Sequence, residues 1–281
     1  MLKAADSTYQ KPRSLGDALA SLAAGGVVVV AGGTDVYPAL VGRDVPADVL
    51  DISAVSELRG IESTPDGLRI GAGVTWADIA GATLPPGLLA LQQAAVQVGA
   101  VQVQKAGTVA GNLCTASPAG DGIPALLALD ARVELRSIRG ARSLPLEDFV
   151  TGYRATAKAA DELVTAIIVP REATERISSF VKLGTRAYLV ISLAMVAASV
   201  GRDDRGRVTS ARVAVGACSP VARRLASVEA SVLAGGPVRV DTSDLRELSP
   251  IDDIRCSAVY RLDVVPELVR RALVDCGVDV A

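Results

Sequence analysis

Apolar residues recur at helical spacing along Leu15–Ala24, with Leu15, Ala18, Leu19 and Leu22 on one side. The paired glycines Gly25 and Gly26 end that run. Residues 27–31 are wholly apolar and mostly β-branched, the pattern of a buried strand. A further helix is expected to begin over 37–41, with short strands at 48–52 and 68–72. Thr75 is placed to cap a helix opening at 75–79. The spacing predicts a helix over 88–98, a polar, glycine-rich loop over 107–121 and an apolar helix over 123–129. Strands follow at 132–135 and 163–169, the latter closed by Pro170.

The charged and polar stretch 170–179 reads as a break. Beyond it a strand is expected at 179–183, a buried apolar segment at 189–200 and a charged turn at 201–206. A strand at 208–216 and helices at 222–233 and 258–276 complete the chain. The pattern is therefore α+β in both regions, the second smaller than the first. There is no internal repeat and no low-complexity stretch.

Composition narrows the chemistry. Half of the 281 residues are hydrophobic, and the net charge is only −2 with both signs mixed along the chain. There is no basic stripe of the kind that nucleic-acid binding requires. Residues 1–10 are polar and lack an apolar signal core. The most apolar stretch, 190–200, is about half the ~20 residues of a membrane span, so no span and a cytoplasmic location are expected. The four cysteines, Cys114, Cys218, Cys256 and Cys276, form no closely spaced pair. That pattern suits neither iron–sulfur nor zinc ligation, and buried free thiols are expected. The chain has no histidine. Nucleophilic systems that use histidine are excluded, and any redox role falls to a bound cofactor.

Two segments concentrate ligand-binding character. The first, Ala31-Gly32-Gly33-Thr34-Asp35, follows the buried strand of residues 27–31. Paired glycines at a strand exit leave backbone N–H groups open to a phosphate, and Thr34 adds a hydroxyl. Asp35 is awkward beside a phosphate and is expected to fix the turn through its own backbone contacts. An ordinary strand-to-helix turn is the other reading of this segment.

The second segment is Thr108-Val109-Ala110-Gly111-Asn112, continuing through Cys114 and Ser117 to Asp121. Its small polar residues suit a loop wrapped around a polar ligand, with Asp121 accepting hydrogen bonds from ligand hydroxyls. A surface loop rich in turn formers fits equally well. The run Gly71-Ala72-Gly73-Val74-Thr75-Trp76 begins like a dinucleotide fingerprint, but Trp76 stands at the third glycine position. No P-loop element is present.

In this order and at this separation, the two segments resemble those of the FAD-binding medium subunits of the xanthine dehydrogenase and carbon monoxide dehydrogenase family. Ala31 to Asp35 matches that family's AGGTD motif. Thr108 to Asn112 and Ala116 to Asp121 match its TIGGN and ASPxxD motifs, with Ala110 where the family usually has glycine. Residues 71–79, 182–186 and 249–260 resemble three further family segments. The resemblance therefore spans nearly the whole chain.

It implies a two-part FAD-binding domain of the PCMH type over 1–172, divided into about 1–55 and 56–172. A smaller α+β flavoprotein domain would follow over 173–281. It also implies that Ala31, Gly32, Gly33, Thr34 and Asp35, with Thr108, Val109, Ala110, Gly111 and Asn112, surround the cofactor's diphosphate. By the same resemblance Asp121 would bind ribityl or ribose hydroxyls. Lys182 would lie near the polar end of the flavin, Val164 and Val98 against its apolar side, and Arg186 and Tyr188 close by. Gly32→Val or Gly111→Val would then empty the site and leave the fold largely intact.

Molybdopterin and 2Fe–2S clusters would reside on a large and a small partner chain, in a dimer of heterotrimers. Electrons would pass from the clusters through FAD to NAD or another acceptor. The alternatives are a stand-alone FAD-dependent oxidoreductase and a non-catalytic assembly protein.

Overall fold

The computed structural model describes residues 8–43 and 48–281. Most of the polar N-terminal stretch read above, residues 1–7, lies outside them. The chain begins with a small parallel sheet, ordered Tyr9–Gln10, Asp48–Asp51, Val27–Val30. Helix Leu15–Ala24 packs beside it. Ser14 caps that helix by accepting from the Asp17 amide, and Gly25 ends it at φ 80°. A side chain is strained at that dihedral, so the glycine terminates the helix cleanly.

A five-stranded antiparallel sheet follows, in the order Ile61–Thr64, Gly67–Gly71, Leu163–Pro170, Arg132–Ser137, Gly140–Pro145. The register of its central strand shifts between Val164 and Ala166, which is a β-bulge. A bulge re-aims the residues beside it; here Thr165 turns its hydroxyl onto Glu134 Oε1 at 2.6 Å. Helix Trp76–Gly81 opens on a reciprocal capping box between Thr75 and Asp78.

The C-terminal region is a four-stranded antiparallel sheet, Ile177–Leu183, Ala194–Arg202, Val208–Gly216, Arg223–Arg224. Its long second strand is buried on both faces, which explains why it reads as one apolar run. Met195 and Ala197 join the core of the preceding domain. Ala194, Val196, Ala198 and Val200 face a second core, closed by helices Ala226–Ala234 and Ala258–Asp275.

Helix Gly122–Ala128 fastens the two regions together. Beyond its C-terminal end, Asp130 receives Arg176, the residue just before the C-terminal sheet, and Arg212 and Arg224 within it, at 2.8, 2.7 and 3.4 Å. The residue before it, Asp121, pairs with Lys182 of that sheet. No helix among the described residues is long and apolar enough to cross a membrane.

Several sequence expectations need correction. Residues 109–115 are not a loop but the helix Val109–Thr115. Thr108 caps it by accepting from the Gly111 amide at 2.9 Å, which offsets the poor helix propensity of Gly111 and Asn112. The stretch 189–200 is buried only from Ser192 onward, with Leu189 54% and Ile191 50% exposed. The thiols are not uniformly buried: Cys218 and Cys276 are, Cys256 is half-buried and Cys114 is exposed.

Candidate cofactor site

A cavity of about 570 Å³ lies where the parallel sheet meets the antiparallel one. That volume is within the usual range for small-molecule sites. Its wall includes Ala31, Gly32, Gly33, Thr34 and Asp35 on one side and Thr108, Ala110, Gly111 and Asn112 on the other. Val98 and the bulge residue Val164 supply apolar surface. The two motifs, far apart in sequence, thus meet across one space.

The first turn is shaped by close approach. A Cβ on Gly32 would overlap the Ala106 carbonyl outright and stand 2.9 Å from the Gly107 nitrogen. Gly33 adopts φ 70° and lies under the Tyr37 ring. These two glycines are therefore fixed by contacts within the protein, whatever the cavity holds. This alters the expectation for Gly32→Val, which would force the two walls apart. No backbone hydrogen bond takes up the amides of Gly32, Gly33 or Thr34 among the described residues. Asp35 does not secure its own turn: it makes no helix-capping bond. Its two oxygens instead accept from Arg154 Nη1 and Nη2 at 3.0 and 3.1 Å.

The second segment is pinned from behind. Trp76 donates its amide to the Gly107 carbonyl at 3.1 Å, and Val109 donates to the Val74 carbonyl at 3.0 Å. Val109 is fully buried and does not reach the cavity. Ala110, at the position where glycine is usual, packs its methyl into the core at 4% exposure while still lining the space. The departure from the motif therefore leaves the cradle intact. Asn112 Oδ1 is buried without a hydrogen-bond partner. Such an atom is costly unless a ligand or water completes it.

Asp121 and Lys182 do not line this cavity. They face each other at 2.7 Å with side chains 7% and 6% exposed. Ser192 donates to the other Asp121 oxygen at 2.6 Å, and Lys182 also donates to the Gln97 carbonyl at 3.2 Å. Burial pushes the Asp121 carboxyl above its ordinary range, against the opposing pull of Lys182 and Ser192. Lys182, Gln97 and Arg186 line a second space of about 380 Å³. Gln97 there adjoins Val98 of the first cavity. Tyr188 is 74% exposed and lines neither space.

Sequence reasoning missed two cations on the wall of the larger cavity, Arg154 and Lys158. Neither stands in a motif quoted above, and single basic residues between short strands carry no pattern. Trp76, Val103 and Cys114 also line the wall. The open amides and the two cations together suit an anionic ligand. These residues fit a flavin dinucleotide.

Known proteins give the same direction. The family described as FAD binding domain in molybdopterin dehydrogenase matches residues 4–172, and CO dehydrogenase flavoprotein C-terminal domain matches residues 179–276. Among similar proteins is the nicotinate dehydrogenase FAD-subunit of Eubacterium barkeri, 33% identical over 88% of this chain and 87% of its own length. The nicotine 6-hydroxylase medium subunit of Paenarthrobacter nicotinovorans is 31% identical over 96% of each chain. A solved carbon monoxide dehydrogenase from Hydrogenophaga pseudoflava superimposes with a TM-score of 0.87 at 26% identity, covering 98% of this chain and 99% of its own.

Proposed function

Because this chain belongs to the FAD-binding flavoprotein subunits of the molybdopterin dehydrogenases, we propose that it relays electrons within a hydroxylase complex. They would pass from 2Fe–2S clusters on a small partner, through FAD on this chain, to an external acceptor. The family resemblance read from the sequence, with its α+β two-domain fold, FAD and an oxidoreductase role, is borne out. The assembly we propose includes a large molybdopterin subunit and a small 2Fe–2S subunit, arranged as a dimer of heterotrimers. NAD is one candidate acceptor.

The observation that carries this reading is the meeting of the two motifs across one cavity. We assign the diphosphate to residues 31–35 and the start of helix Val109–Thr115. Open amides of the first turn and the Thr34 hydroxyl would hold it. Val98 and Val164 supply apolar surface that excludes water. Val109 supports the helix from the core and makes no direct contact in this assignment. Lys182 and Asp121 are assigned to the flavin end of the site, on family resemblance and on the adjacency of Gln97 and Val98. There Lys182 keeps a cation buried, and Asp121 and Ser192 hold it in place. Bound FAD would supply a carrier that accepts electrons singly and releases them singly or in pairs.

The test is purification of the intact complex, with flavin, iron and molybdenum measured per copy of this chain. Reduction by the complex's substrate without oxygen should bleach the visible flavin absorbance. A complex that turns over substrate while its flavin stays oxidised would exclude the relay role.

A further inference from the structure

Asp35 poses an electrostatic problem at the first turn. A carboxylate on the same cavity wall as a diphosphate would repel it. The structure supplies a counter-charge from a distant part of the chain. Strands Val150–Gly152 and Ala155–Thr156 form a small hairpin, and Arg154 stands in its turn with φ 51°. The Arg154 amide donates to the Ala116 carbonyl at 3.1 Å, at the left-handed end of helix Val109–Thr115. Its guanidinium reaches across to both oxygens of Asp35. The Arg154 backbone is thus fastened to the second motif and its side chain to the first. Both residues line the cavity.

We propose that Arg154 is a positioning residue for the cofactor: it neutralises Asp35 so that the turn 31–35 can accept a diphosphate. This rests on the reading that the cavity holds FAD. Two arguments favour compensation over direct grip. The forked pairing uses both Nη groups on Asp35, which is the geometry in which a guanidinium satisfies a carboxylate. The Asp35 side chain makes no helix-capping bond, and Arg154 is its only hydrogen-bond partner among the described residues. The left-handed backbone at position 154 costs energy for a residue with a side chain, and such a conformation persists where the surroundings over-determine it.

The experiment is FAD titration of the chain in its complex, stripped of flavin and followed by quenching of flavin fluorescence. The wild type, R154A, D35N and the R154A/D35N pair are compared. An uncompensated carboxylate beside a dianion is expected to weaken FAD binding about tenfold in R154A. D35N alone should bind at least as tightly as wild type, because it leaves the Arg154 cation unopposed, and the double variant should recover to within about twofold of wild type, because the charge needing compensation is gone. The R154A deficit should shrink with added salt. A double variant as weak as R154A would overturn the proposal in favour of direct grip on the cofactor. D35N as weak as R154A would overturn it in favour of a mechanical tie between the walls. Wild-type protein that binds no FAD would instead overturn the assignment of the cavity. Thermal midpoints of the four apo proteins identify any variant whose loss reflects unfolding, and the neutral, longer R154Q then replaces R154A as the weakened arm.

Discussion

Replacing Gly32 and Gly111 one at a time by alanine separates what the motifs do for the fold from what they do for the cofactor. At Gly32 the new methyl would overlap the Ala106 carbonyl, with the Gly107 nitrogen 2.9 Å away. Both are backbone atoms and cannot rotate aside. Overpacking by one methyl usually costs about 1–3 kcal/mol, and a backbone clash belongs at the upper end, about 3 kcal/mol. At about 2–3 °C per kcal/mol for a chain of this size, G32A should melt about 6–9 °C lower. At Gly111, leaving aside its chain neighbours and the helix's own backbone, the only atom among the described residues within 4 Å of the new methyl is the Thr108 hydroxyl oxygen at 2.8 Å, on a side chain that can shift. Alanine gains about 1 kcal/mol of helix propensity there and loses about as much if the cap loosens, so stability should barely change. Yet Gly111 lines the cavity, so its methyl should lower FAD affinity. Differential scanning calorimetry of apo protein and flavin titration provide the two readouts. A G32A protein with an unchanged midpoint would refute the close-approach argument. A G111A protein that holds FAD as tightly as wild type would remove Gly111 from the diphosphate site.

The Asp121–Lys182 pair should behave as a buried ion pair. Asp121→Ala strands an ammonium that is 6% exposed and should cost the apo protein about 3–5 kcal/mol in urea denaturation, with Asp121→Asn milder; a loss under about 1 kcal/mol for the alanine variant would show the pair to be solvated. Acid should act through Glu162, which Arg142 holds at about 2, below its ordinary 4.5. That stabilisation is fully present above pH 4.5 and lost as pH falls toward 2, so Glu162→Gln should make the thermal midpoint fall less steeply over that interval, with Asp51, Asp253 and Glu267, also held at about 2, supplying the remaining slope.

The sequence was most readable where periodicity and burial agree. Helix Leu15–Ala24 and strand Val208–Gly216 have the bounds expected from their patterns. Strand Ile61–Thr64 was missed because only its first residue is strongly apolar. Helix Val101–Ala106 was missed because its alternating valines and glutamines lack helical spacing, and all six residues stay at least partly exposed. Gly140–Pro145 is an edge strand with four exposed residues, which leaves no apolar face to detect. At the site the two motifs were legible as short runs of small residues. Arg154 was not, because its importance comes from a partner 119 residues away.

The pattern of glycines then bears on why such a signature exists at all. Gly32 is required by the backbone of residues 106 and 107, and Gly33 by the Tyr37 ring and a left-handed dihedral. Position 110 tolerates alanine because its methyl points into the core. The motif is therefore strict where the two parts of the domain touch and permissive where the fold has room. A cavity for a long, anionic ligand arises when two surfaces meet only along their rims. The residues that let the rims meet are as necessary to it as those that face the ligand. By that argument, loss of cofactor in a variant of the first turn does not by itself locate the diphosphate; loss in a variant that melts normally does.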